Sequence, residues 1–332
     1  MKAEICFRAT VLAAAALLTL PAAARADGAT QSIWTLQDEN ASISSTNPTD
    51  RYYVNGLHLG WTGPRGYLPG AVSSLGHALF GEGEQRVSLG LTQQIYTPFE
   101  TKAYDPPVDD EPYAGYIALN LNLVQDSTNV RSVLGVNLGL IGPAAGGQSV
   151  QNGFHAVIGQ SGTNGWHYQL PNVPVVDFLG ARIWRLPLGH IGGLETDALP
   201  QVSGMAGLSA VYLQPAIGFR IGSGLDSDYG PPLLTPSPSG TDAYDVVQPF
   251  AWYIYAGSAA KFVGYDEVLQ GTYFQSSRSV PVTRVVGSFD IGGAIIWHGL
   301  RFTYTQMFQT SRFHNQKGDI HEFGSFAVSA MF

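Results

Sequence analysis

Cysteine is almost absent. The only one among 332 residues, Cys6, lies in an N-terminal stretch with the features of an export leader. Lys2 and Arg8 precede the apolar run ATVLAAAALLTLPAA, and the small-x-small triplet ARA stands before Asp27. A basic segment, an apolar segment and a small-residue cleavage site define a secretory signal. The run is shorter than the roughly 20 residues a membrane-spanning helix needs. Residues 1–26 therefore read as a cleaved signal peptide, and 27–332 as one domain. That domain has no cysteine, which excludes a disulfide framework and thiolate metal ligands.

Charge is also scarce. Charged residues make up 13% of the chain, about half of the roughly 25% usual for soluble domains. The net charge is −8, so the basic footprint of a nucleic-acid binder is missing. Beyond the leader, no run approaches the roughly 18 consecutive apolar residues of a helical span. No Gly-x-Ser-x-Gly elbow, His-Glu-x-x-His helix or phosphate loop occurs, nor any repeat at a period of about 20–50 residues. What remains is an exported, glycine-rich chain of low charge. It is either a secreted β protein or an outer-membrane barrel.

What is present is alternation. In RVSLGLTQQIY, Val87, Leu89, Leu91 and Ile95 share one face, against Ser88, Gly90, Thr92 and Gln94. In YAGYIALNLNL, Ile117, Leu119, Leu121 and Leu123 oppose Tyr116, Ala118, Asn120 and Asn122. Successive strand residues face opposite ways, and here the second face is polar but uncharged. That suits a wet lumen behind a lipid-facing wall better than a sandwich surface. Tyr52, Tyr53, Trp61, Trp252 to Tyr255 and Trp297 fall near strand ends, as aromatic girdles do. The last segment places Phe326, Val328, Ala330 and the terminal Phe332 on one face. Bacterial single-chain barrels have an even strand number. The expected fold is an all-β, twelve-stranded antiparallel transmembrane barrel, with residues 229–242 as a long loop.

Three polar clusters stand out. QDENASISSTNPTDRYYVNG (37–56) gathers Asp38, Glu39, Asn40 and Asp50 on a hairpin, and strand phase sends Val54, Gly56 and His58 to the lumen. QIYTPFETKAYDPPVDDEPYAGY (94–116) is a long acidic connection with a single Lys102. Residues 149–158 follow the turn GPAAGGQ and predict a short helix. On it Val150, Phe154 and Val157 or Ile158 pack, while Asn152 and His155 share the polar side. A lone histidine is more often structural than catalytic.

In order along the chain, these segments, with EPYAGY, LIGPAAGGQSVQNGFHAVIG, NGWHYQL and FGSFAVSAMF, resemble the outer-membrane lipid A 3'-O-deacylase family. The resemblance covers nearly the whole mature chain. It implies a barrel with a rim site that hydrolyses an ester-linked acyl group of lipid A. A histidine general base activates water, and a calcium ion stabilises the oxyanion. Such chemistry is reasonable: histidine takes protons near neutrality, and a cation or aimed donor holds developing negative charge.

On this sequence the resemblance puts the base at His155 and the asparagine of an Asn-Asp pair at Asn40. The aspartate of that pair falls on Ala41, a threonine on Val54, a later acidic residue on Ser161 and an arginine on Glu111. Asp38 and Glu39 are the candidate substitute calcium ligands, although alternation points only one of them to the lumen. Lys102, Val54 and Ser161 are the candidate substrate contacts. Asn40, His155 and the 97–111 connection are expected at one rim. The implied partners are lipid A or lipopolysaccharide and outer-membrane lipid, with the protein a monomer. Two further readings remain open: a non-catalytic barrel that binds lipopolysaccharide or is structural, and a passive porin.

Overall fold

The computed structural model describes residues 31–46, 49–230 and 236–332. The expected signal peptide and its cleavage site lie outside them. Thirteen strands follow one another: β1 (Ile33–Asn40), β2 (Tyr52–Thr62), β3 (Glu84–Thr97), β4 (Ala114–Ser127), β5 (Val130–Ile141), β6 (Val173–Trp184), β7 (Leu186–Ile191), β8 (Leu194–Gly207), β9 (Ala210–Ser223), β10 (Phe250–Asp266), β11 (Val285–Trp297), β12 (Leu300–Thr310) and β13 (Ile320–Met331). Consecutive strands pair antiparallel except β6 and β7, which do not pair with each other; β1 meets β13, and β6 meets β8. The sheet therefore closes on itself. β6 and β7 flank Arg185 and both pair with β8. They form one interrupted crossing, so the wall has twelve.

Alternation sorts the wall. Leu57, Leu59, Leu89, Leu91, Leu119 and Leu121 are exposed on the outside, whereas Thr35, Gln37, Ser88, Thr92, Asn120 and Asn122 are buried within. Exposed leucines in register over neighbouring strands form the apolar band that lipid requires. No helix among the described residues is long and apolar enough to cross a membrane.

The two ends differ. One carries the tight turns His298–Gly299 and Gly192–Gly193, all four residues at positive φ, as two-residue hairpins with strand-matched twist require, together with the connection 63–83 and the β9–β10 connection, which folds back into the lumen. Ser32 and Phe332 bond to each other there. The other end carries the long connections 98–113, 142–172 and 271–284. Outer-membrane barrels keep short turns on the periplasmic side and long loops outside, so this second end faces outward.

The aromatic girdle is only partly as expected. Trp34 faces Trp61 and Phe250 faces Trp297 across their strands, near the periplasmic end of the wall. Tyr52, Tyr53, Tyr253 and Tyr255 are buried instead. Tyr253 donates to Asp228 inside the barrel. Tyr52 packs with Val263, Val282 and Phe313 in a cap formed with the outer loops. The phase of each strand, which nearness to a strand end does not report, decides the side.

The lumen is filled. The β9–β10 connection leaves the periplasmic end and turns inward. Ser239 donates to the Leu89 carbonyl, and its own carbonyl accepts from Ser88. Arg131 donates to the carbonyls of Thr241 and Ala243, both at 2.8 Å. Arg220 bridges Asp197 at 2.6 Å and Asp228 at 2.7 Å, and Arg301 meets the other Asp228 oxygen at 3.1 Å. A cavity of about 160 Å³ lies above this plug, lined by Tyr96, Tyr116, Asn120, Lys261 and Arg312 among others. With plug and cap in place, the barrel is not built as an open pore.

Candidate active site

The glycines of LIGPAAGGQ place a helix against the wall. Gly142 and Gly146 have φ of 116° and 74°, which L side chains rarely adopt. Gly147 then opens helix α2 (Gly147–Val157); α1 (Gly70–Phe80) lies at the periplasmic end. A Cβ on Gly147 would come within 2.7 Å of the Trp166 ring and 3.0 Å of the Gly115 backbone. Only glycine permits this approach.

The helix turns its polar side inward, which corrects the expected packing. Gln151 and His155, four residues apart and so on one face, are its buried side chains, whereas Val150 and Val157 are exposed. The apolar residues lose their claim on the interior because the surface they would meet already carries Asp50, Thr163 and Trp166.

That network is continuous. Trp166 Nε1 donates to Gln151 Oε1 at 3.0 Å, and Thr163 Oγ1 donates to the same oxygen at 3.1 Å. An indole N–H only donates, so the Gln151 oxygen faces it and the amide nitrogen faces Asp50, 2.9 Å from Oδ1. The second Asp50 oxygen lies 3.3 Å from His155 Nε2. On the opposite edge of the ring, Nδ1 is 3.2 Å from the Ser161 carbonyl. A carbonyl only accepts, so Nδ1 carries its hydrogen and Nε2 is the atom turned toward Asp50. Lys102 Nζ donates to the same Ser161 oxygen at 2.8 Å and to the Gly162 oxygen at 3.1 Å.

The site lies on the outside of the wall, not in the lumen as Val54 and its strand phase suggested. Tyr53 pairs with Tyr96 and Asn55 with Ile95, so Val54 is the extra residue of a bulge. A bulge reverses facing beyond it. Gly56 and His58 point inward, while Val54 packs outside with Ile95, Tyr113 and Trp166. Val54 is thus a floor under the site, covered by aromatic rings, rather than an open substrate contact. Ser161 contributes its carbonyl rather than its side chain.

Asp38 and Glu39 are separated by the wall. Glu39 is inside, accepting from Tyr53 at 2.7 Å and Gln37 at 2.9 Å. Asp38 is outside, accepting from Asn55 at 2.8 Å. Adjacent strand residues face opposite ways, so the two cannot share an ion. Asn40 Oδ1 accepts from Ser42 N–H at 2.8 Å and caps the turn Ala41–Ile43. Ala41 is fully buried among Tyr53, Met307 and Phe323. The Thr49 N–H donates to the Ala41 carbonyl at 3.1 Å, which draws Asp50 back beside the end of β1. Lys102 and His155 are joined through the Ser161 carbonyl and His155 meets Asp50, while the Thr49–Ala41 bond ties the loop bearing Asp50 to the Asn40 end of β1.

Calcium takes about six to eight hard oxygen ligands. Among the described residues no group of three or more His, Cys, Asp or Glu could hold a metal ion. Position 41 offers a methyl group in an apolar cluster, Glu39 is across the wall, and Asp50 is engaged by Gln151 and His155. The donor set does not fit the ion.

Sequence reasoning passed over Asp50, Gln151, Thr163 and Trp166 as site members. The i, i+4 spacing of Gln151 and His155 was the available signal. Glu111, at the position of an arginine in the family, pairs with Arg312 at 2.8 Å. Burial pushes it up to about 7 against the pull of Arg312, and nearby Asp266 and Asp110 raise it further.

A closed twelve-stranded wall with an apolar outer band defines an outer-membrane barrel, and the His155 cluster lies on the outer side of that wall rather than in a pore. The family model for outer membrane protein LpxR matches residues 11–332, and the chain belongs to that family. In structure it is similar to LpxR from Salmonella typhimurium, with a TM-score of 0.76 and 22% identity over 91% of this chain and 100% of that one. The β domain of the Bordetella autotransporter BrkA is more distant, with a TM-score of 0.43 and 8% identity over 90% and 97% of the two chains. A sequence comparison with curated proteins returned no match.

Proposed function

We propose that this protein hydrolyses an ester-linked acyl chain of lipid A from the outer leaflet, with His155 as general base. One observation carries the reading: the His155–Asp50 pair, 3.3 Å apart, lies on the lipid side of the wall at the outward-facing rim. Lumenal chemistry would have no route to a lipid, because plug and cap close the barrel.

With His155 neutral, Nε2 and the Asp50 carboxylate are two acceptors close enough to share one water. The water gives one hydrogen bond to each and turns its oxygen toward the acyl carbonyl. Attack forms the C–O bond as Nε2 takes a proton, and negative charge gathers on the carbonyl oxygen. Collapse breaks the ester C–O bond, and the proton passes from Nε2 to the departing sugar oxygen. The products are a fatty acid and a lipid A hydroxyl. Ser161 and Gln151 hold the ring and the carboxylate so that only the water must move. Asn40 is oriented by its cap, which leaves its amide nitrogen as a candidate donor to substrate.

The test is mass spectrometry of lipid A from cells carrying the wild type, His155→Ala or neither. Loss of one acyl chain only with the wild type supports the reading. Unchanged lipid A in all three, with lipopolysaccharide still bound by the purified barrel, leaves a binding protein instead.

A further inference from the structure

The site already contains a cation. Lys102 Nζ donates to the Ser161 and Gly162 carbonyls at 2.8 and 3.1 Å. Main-chain carbonyls are among the hard oxygens a calcium site uses, and these two are spent on an ammonium. Like charges this close repel, so a divalent ion and the Lys102 ammonium compete for one place. The carboxylates do not favour the ion either: Ala41 and Ser161 stand where the resemblance places acidic residues, and Asp38 and Glu39 lie on opposite faces of the wall.

We propose that the Lys102 ammonium takes the place of a metal ion at this site and that hydrolysis here is independent of calcium. An ammonium has three N–H donors. Two hold Ser161 and Gly162, and the third is left for the oxyanion that forms on the acyl carbonyl. Lys102 is exposed, and its ammonium shares an acceptor oxygen with His155 Nδ1. Cation and base are thus fixed to one carbonyl, Ser161 O, and move together relative to the lipid. The proposal rests on the hydrolase reading, and its test separates the two.

The experiment uses the full barrel in detergent with lipid A micelles, with and without excess EGTA. Terbium luminescence sensitised through Trp166 serves as a separate probe of ion binding. The expected results are a rate unchanged by EGTA, no saturable terbium signal, and a kcat about 10²- to 10³-fold lower in Lys102→Met with KM nearly unchanged, the usual cost of one oxyanion donor. Lys102→Arg, which keeps charge and donors, regains part of the rate. Heat-modifiable migration on gels confirms that each variant is folded. Loss of activity in EGTA with recovery on adding calcium overturns the proposal, and so does a Lys102→Met rate equal to wild type. If the wild type hydrolyses nothing with or without calcium, the hydrolase reading fails. Terbium then decides the cation question: saturable binding overturns the lysine-for-metal claim, and its absence upholds it.

Discussion

The lumen and the outer rim are both polar and largely buried, yet they are organised in opposite ways. In the lumen Arg220, Arg301, Asp197 and Asp228 are cross-linked: Arg220 spans Asp197 and Asp228, and Arg301 completes the Asp228 pair. At the rim the Asp50–His155 pair has one open side, since the Asp50 side chain keeps 31% of its exposure. Closure on all sides makes a strut. A pair held from behind and open in front leaves room for water and substrate. The protein thus places its densest ion network away from the proposed site, and a single histidine–carboxylate contact at it.

Substitutions on either side sharpen or break this contrast. His155→Ala should cost about 10²- to 10⁴-fold in deacylation, the usual worth of a placed base, while the barrel still assembles. A matching loss of folded protein would make His155 a strut as well. Asp228→Ala should do the reverse. Removing one partner of a buried pair costs about 3–5 kcal/mol, visible in urea unfolding from micelles, with the rate per folded molecule kept. Ala41→Asp should lower stability by several kcal/mol through an unpaired buried charge, since its neighbours are Tyr53, Met307 and Phe323. A gain of calcium-dependent activity in that variant would show that position 41 turns toward the site.

Smaller effects test positioning. Asp50→Asn keeps the shape and the Gln151 contact region but removes the charge that aligns water and ring. A loss of up to about 10²-fold in kcat is expected, and an unchanged rate would remove Asp50 from the mechanism. Glu111 gives a pH effect. Its carboxyl is raised from 4.5 to about 7 in the folded chain, so the unfolded chain loses this proton first. Its contribution is full below pH 4.5 and fades as pH rises to about 7, at about 1.4 kcal/mol per pH unit. Glu111→Gln should flatten that slope in urea titrations across this range. An unaltered slope would assign the effect to another group.

The wall was legible because alternation is a local property. Each strand states its two faces in its own residues, and twelve such statements fix a barrel. The rim was less legible. His155 stood out by its surroundings in the chain, but its partner Asp50 is 105 positions away and looked like one more loop carboxylate.

Sequence by itself determined the export class, the strand pattern, the lipid-facing side and the helix that bears His155. Tertiary structure decided what those residues meet. One extra residue at Val54 moved it from lumen to outer face, because a bulge shifts side-chain phase and nothing in the residue types announces it. The polar side of α2 turned inward because Asp50, Thr163 and Trp166 gave it partners. The apolar side was left outward because no surface remained to cover it. Position 41 became core because the turn after β1 packs Ala41 against Tyr53, Met307 and Phe323. Facing along a strand is set by covalent geometry and can be read residue by residue. Which loop reaches which side chain depends on contacts between distant segments, and only the closed barrel brings them together.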